Sequence, residues 1–276
     1  IEEGGFLRFG QVGGVDQRVL PGHELIVYGK KPMTGVVGVK PPHLTSREEA
    51  SKAHKMEDLF IDLGMPEEDV RKNVRVGNPV TFKRQVSSLM NDVLSGKSLD
   101  DRAGVAVMLV CLEELRRYRV DADVYAVATT QEETGFGGAI VSTYGVAPDI
   151  GIAIDVCHAE TPGVPEWKTA FLGKGPDLTR GGNIHPKVFA GLEKAASELG
   201  ISVQTSVAPA ATGTDAWVMQ VARSGVATGL VSIPLRYMHT SVETLSIGDV
   251  EKCGQVIARF ISSVDGSFVK GLKIWI

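Results

Sequence analysis

Cysteine is scarce in this sequence of 276 residues: Cys111, Cys157 and Cys253 are an odd number, widely spaced and set in segments that read as buried helix or strand. Thiols placed in this way exclude a disulfide framework and point to a reducing, cytoplasmic setting. Positive charge is not in excess. Lysine and arginine number 29 against 33 acids, a net charge of −4, so there is no basic field to hold nucleic acid or an anionic membrane surface. Long hydrophobic runs are missing too. The longest uncharged apolar stretch, Ala103 to Leu112, is far short of the ~20 residues that cross a bilayer, and no signal-like stretch opens the sequence. What is present is an ordinary globular balance, 43% hydrophobic and 22% charged, in a chain long enough for one large domain or two modest ones.

The first eighty residues read as short strands broken by turns. Phe6 to Phe9, Glu24 to Tyr28, Thr34 to Val39 and Leu59 to Leu63 are the strands, separated by Gly13-Gly14 and Pro21-Gly22, and Ser46 with Glu49 has capping-box spacing for one helix. From about Lys83 strands and helices alternate, which predicts an α/β layer fold with a mixed, mostly parallel sheet and helices on both faces. The helices fall at Asp101 to Arg117, Pro186 to Leu199, Asp215 to Ala222 and Gly248 to Val264. In the first of these, Met108, Cys111, Leu112 and Leu115 make the apolar face. Val124 to Thr130, Ile150 to Val156 and Val226 to Ile233 are near-continuous apolar runs, as central strands require.

Acidic residues collect where those elements meet. Asp100-Asp101 opens the long helix, Glu132-Glu133 follows the Val124 run, Asp155 ends the Ile150 run with His158 just beyond, and Arg236-Tyr237-Met238-His239 follows the Val226 run. In α/β sheets, ligands gather at the carboxyl ends of strands. Taken singly, each has an everyday explanation: Asp100 and Asp101 could cap a helix, Glu132 and Glu133 could line a solvated loop, and His158 and His239 could be surface residues. Together, three carboxylate sites and a histidine make the oxygen-plus-imidazole donor set of a catalytic zinc, cobalt or manganese centre.

Five ordered motifs carry a resemblance that covers essentially the whole chain. Lys97 to Gly104 (KSLDDRAG), Gln131 to Gly135 (QEETG), Ala153 to Val156 (AIDV), Thr212 to Ala216 (TGTDA) and Arg236 to Thr240 (RYMHT), with Val12 to Asp16 and Leu20 to Gly22 in the β-rich part, resemble the tetrahedral (TET) metallo-aminopeptidases. That family also goes by the names glutamyl or deblocking aminopeptidase and endoglucanase or cellulase M. The resemblance implies a zinc-peptidase-like catalytic domain, residues 1–9 and 83–276, with a small β-rich insertion and oligomerisation domain at 10–82. It implies two divalent metal ions, with Asp100 bridging them, Glu133 and His239 completing one site, Asp155 serving the other, Glu132 as general base, and Asp101 following Asp100 across a cis peptide. Arg236 would bind substrate. Thr214 and Asp215 would line the substrate pocket, although Asp215 is equally suited to capping a helix.

The family supplies a further histidine from a His-x-Asp motif shortly before the strand at Phe6 to Phe9, and this sequence, which begins at Ile1, does not contain it. A chain truncated at its N-terminus, with one metal site incomplete and reduced activity, is therefore expected. A second departure is Phe136-Gly137, where the family often places a basic residue. His185 reads as a helix-entry residue, and His23, His43 and His54 lie away from the site. The partners implied are short peptides and further copies of the same chain, dimers building a hollow dodecamer. Two alternatives are an endo-glycosidase and a catalytically degenerate assembly subunit. A glycosidase needs two carboxylates facing each other across a sugar and no metal. It leaves the histidine and the third carboxylate unexplained, and aromatics, which favour sugar binding, are only 6% of the chain.

Overall fold

The short strands of the first eighty residues fold into a four-stranded antiparallel sheet in the computed structural model, which describes residues 1–272. Strand β1 (Glu24–Tyr28) lies inside it, with Leu25 opposite Gly35 of β2 (Pro32–Gly38) and Phe82 of β4 (Val80–Phe82), while β3 (Phe60–Asp62) pairs with the far side of β2. Alternation decides what is buried: Leu25 and Val27 point inward and join Val37, Leu59 and Ile61 in the core. Helix α1 (Arg47–Ala50) is a single turn. Helix α2 (Glu67–Asn73) has three acids in its first turn and Arg71 and Lys72 in its last, matching the helix dipole, and buries Val70.

This first unit comprises Ile1–Val86 and the short segment His239–Val242. Residues 1–9, expected in the catalytic domain, belong to it instead. Leu7 exchanges both backbone hydrogen bonds with Ile61 at 2.9 Å and is buried in the same core. The sequence pattern reveals that Leu7 is strand-like but not which edge it joins.

The second unit, Ser87–Met238 with 243–272, is an α/β layer structure. Its seven strands are β5 (Ser87–Ser88), β6 (Val93–Gly96), β7 (Ile150–His158), β8 (Asp177–Gly181), β9 (Gln204–Ala208), β10 (Ala227–Arg236) and β11 (Glu243–Ser246). They run in the order β5-β6-β11-β10-β8-β9, with β7 beside β10. The sheet is mixed. Its parallel pairs are β7 with β10 and β8 with β9, and the other four pairings are antiparallel.

The helices of this unit are α3 (Leu99–Leu115), α4 (Glu132–Gly135), α5 (Gly137–Val146), α6 (Pro186–Glu198), α7 (Ala216–Met219), α8 (Ile247–Ser262) and α9 (Gly266–Lys270). Both faces of the central sheet are covered, since β10 is buried from Ala227 to Leu235. A side chain at Gly229 would run into Val188 and Leu192 of α6, whereas one at Gly151, which pairs with Thr228 and so points the other way, would meet Met219 of α7. Helices α3 and α8 cross where Gly254 removes a side chain that would meet Val110 at 2.6 Å.

Two expectations need correction. Residues 124–130 form no strand among the described residues, and Val124, Tyr125 and Val127 are exposed. An apolar run marks a segment fit for a sheet, but a strand exists only where a neighbour accepts its hydrogen bonds. The buried face of α3 is Ala103, Gly104, Val107 and Cys111, with Leu112 exposed. Against α8 it sets Val110 and the Cys111 amide, which lie where a side chain at Gly254 would have to go.

Candidate active site

Asp155 lies in β7, opposite Ser232 of β10 and three residues before the strand ends at His158, and is 9% exposed. Its own strand partly holds it, Val156 N–H donating to Oδ1 at 2.7 Å. Asp100 and Asp101 enter α3 through non-helical backbone joined by a cis peptide bond. Asp101 does what a capping residue does, accepting from Gly104 N–H at 2.8 Å. Above them the buried Glu243 accepts the amides of Leu99 at 2.7 Å and Asp100 at 3.1 Å.

Glu132 and Glu133 begin the four-residue α4. Gln131, just ahead of them, is in the left-handed region at φ +63°, which turns the chain out of residues 124–130. Thr129 Oγ1 donates to Asp215 Oδ2 at 2.6 Å. Asp215 precedes α7 without capping it through its side chain.

These carboxylates crowd one another. Burial pushes Asp101 up to about 8, with Asp100, Glu132 and Asp215 adding repulsion, and pushes Asp155 up to about 9, with Asp101, Glu132 and Asp100 adding to it. Glu132 rises to about 7 through burial and the charges of Glu133, Asp215 and Asp100. Asp215 is raised by burial, against the hydrogen bond from Thr129. Asp100, Asp101, Glu132, Glu133, Asp155 and Asp215 are thus brought together in the second unit. Without cations such a cluster holds protons in place of charge.

His239 follows Met238 directly and is the first residue of the segment that belongs to the first unit. It has φ +63°. Its carbonyl accepts from Asp16 N–H at 3.2 Å. Gly14 lies against its imidazole, where a Cβ would collide with the ring. The Val12 to Asp16 motif therefore makes room for a histidine far along the chain.

Arg236, at the end of β10, donates from Nε to the Glu160 carbonyl at 2.9 Å and pairs with the Glu160 carboxylate. Both line an open cavity of about 490 Å³ with Val164, Phe171 and Tyr237, at the carboxyl ends of β7 and β10. The loop at residues 171–175, which begins at the cavity-lining Phe171, is held by three side chains. Gln204 bonds Phe171 N–H and the Phe171 and Gly175 carbonyls, Glu160 accepts from Leu172, and the fully buried Asp249 accepts from Gly173 at 2.6 Å and Gly175 at 2.8 Å. Thr214 does not face this cavity. It is buried and bonded to Thr212, which accepts from Asn183. His185 enters α6 as expected, its ring accepting from Lys187 N–H, and His158 is exposed.

Two participants escape the sequence reading. Glu243 had one signal, an acid inside a strand of otherwise uncharged residues; Thr129 had none.

Fold and site define an α/β peptidase. The chain belongs to the M42 glutamyl aminopeptidase family, which matches residues 1–256, a family of metal-dependent peptidases. A lysyl aminopeptidase from Pyrococcus furiosus is 37% identical over 256 residues, 91% of this chain and 73% of the relative. The structure of an aminopeptidase from the archaeon Desulfurococcus kamchatkensis superposes with a TM-score of 0.89 at 36% identity, covering 99% of this chain and 77% of that one. A TET1 peptidase from Pyrococcus horikoshii, which can assemble into a tetrahedron or a large octahedral shell, has a TM-score of 0.81 at 30% identity, covering 96% and 79%.

Proposed function

We propose that this chain removes N-terminal residues from short peptides, with Glu132 as the general base and divalent cations, zinc or cobalt with manganese as a further candidate, held by its carboxylates. The crowding of buried acids carries this reading. A set of carboxylates that repel one another into protonation is a set that cations would ionise. The donor types fit: Asp100 and Glu133 offer carboxylate oxygens, Asp155 a further one beside Asp100, and the family resemblance adds the ring nitrogen of His239. Two ions held there would polarise the scissile carbonyl and acidify a water.

The chain's own residues do the rest. Glu132, in the same short turn as Glu133, is placed to take the proton of the attacking water and pass it to the departing amine. Asp101, capping α3 through Gly104, fixes the direction of Asp100. Arg236, lining the open cavity, contacts the peptide, while Glu160 holds the guanidinium in place. We further infer that the chain forms homo-oligomers through its β-rich first unit, up to a hollow dodecamer whose interior admits peptides and excludes folded proteins.

The test is release of amino acids from unblocked peptides in the presence of zinc or cobalt, and its loss in Glu132→Gln with metal content unchanged. Equal cleavage of acetylated and free peptides, or hydrolysis of soluble cellulose instead, overturns the reading.

A further inference from the structure

We propose that Asp215 is a positioning residue for the two glutamates, acting through Thr129, and not a residue that meets the substrate; this rests on the roles given above to Glu132 and Glu133. The contact itself is short: Thr129 Oγ1 donates to Asp215 Oδ2 at 2.6 Å, across 86 residues of sequence and three positions before Glu132. Charge assistance gives hydroxyl–carboxylate bonds of this length about twice the strength of neutral ones.

The glutamates need such support. Residues 124–130 lie in no helix or strand, so no ladder fixes the approach to Glu132. Helix α4 has four residues, too few for a helix to hold its own direction. The turn is closed on itself by Phe136 N–H to the Gln131 carbonyl and Gly138 N–H to the Thr130 carbonyl, both 2.8 Å. Those bonds set its shape. Thr129 to Asp215 fastens that shape to another part of the second unit.

The other end of the contact is well anchored and turned away from solvent. Asp215 Oδ1 is buried and has no hydrogen-bond partner among the described residues, so a substrate amine cannot reach it without displacing the protein around it. Its neighbour Thr214 bonds Thr212 at 3.0 Å, and Thr212 accepts from Asn183 at 3.2 Å, in the connection between β8 and α6. Asp215 also lies close enough to Glu132 and Asp101 to act on both electrostatically. A shift at Asp215 would therefore be passed to the base through Thr129.

The experiment is steady-state kinetics of Thr129→Val, Thr129→Ser, Asp215→Asn and the double variant Thr129→Val/Asp215→Asn, with metal content by mass spectrometry and melting temperature measured for each. Thr129→Val keeps the side chain's shape and removes the donor. Its kcat falls about ten- to a hundredfold, the loss that a misplaced catalytic group brings, while KM and metal per chain stay unchanged. Thr129→Ser, which keeps the hydroxyl, restores kcat. The double variant falls no further than the worse single one, since both break the same contact. Should Thr129→Val fail to fold, Asp215→Asn carries the same test, with kcat falling at constant KM. An unchanged kcat in Thr129→Val, or a loss in Asp215→Asn confined to KM, overturns the proposal. Activity surviving in Glu132→Gln would instead overturn the reading beneath it.

Discussion

Glu243 holds two backbone amides at once, those of Leu99 and Asp100, from a buried position. Glu243→Met would fill the space and leave both donors unpaired, at about 1–3 kcal/mol for each orphaned group. The expected result is a lowered melting temperature together with weaker zinc affinity, read by calorimetry and metal titration; a loss of stability with affinity unchanged would separate Glu243 from Asp100. The crowded acids make a second prediction. Asp101 and Asp155 titrate at about 8 and about 9 when folded, but near 4 (roughly) in the unfolded chain. Between those values the folded chain keeps protons that the unfolded chain has released, so stability without metal falls as pH rises from about 4 to about 9. Zinc should flatten that slope, because the ionised forms are what it binds. A metal-free melting temperature that climbs from mildly acidic to alkaline pH would contradict this. Most of these acids were legible in the sequence because they interrupt apolar runs, where a charge is costly unless used. Thr129 was not, since a threonine beside a sheet-like run is ordinary and its partner lies 86 residues away.

At the scale of elements, the crossing of α3 and α8 depends on one missing side chain. A Cβ at Gly254 would lie 2.6 Å from Val110 and 3.0 Å from the Cys111 amide nitrogen, and the backbone amide cannot move aside as a flexible side-chain tip could. Gly254→Val should destabilise the second unit by about 1–3 kcal/mol, the usual cost of overpacking, as measured by denaturant unfolding; an unchanged midpoint would mean the helices slide freely. Sequence periodicity located β1, β7, β10 and α6 well, since each buries its pattern within reach of a neighbour close by. It overreached at 124–130, where composition was right for a central strand and no described strand lies alongside. It was silent on Leu7, whose pairing with Ile61 joins segments that local pattern does not connect.

The whole molecule leaves apolar side chains on its surface. Tyr125, Ile140, Val141 and Tyr144 are all largely exposed, on residues 124–130 and on α5. Such groups favour association. Light scattering at micromolar concentration should therefore report a species larger than 29.5 kDa; a monomer at every concentration would contradict both this and the proposed assembly. Other parts are firmly fixed. The loop at 171–175 has neither helix nor strand, yet the amides of Phe171, Leu172, Gly173 and Gly175 each donate to a side chain, and the acceptor of two of them, Asp249, is wholly inaccessible to solvent. Deuterium from solvent should then enter the Gly173 and Gly175 amides as slowly as it enters β8, because exposing those two requires α8, which carries Asp249, to move away. A loop with no regular structure of its own would thus share, at its two glycines, the slow opening of the helix that holds it.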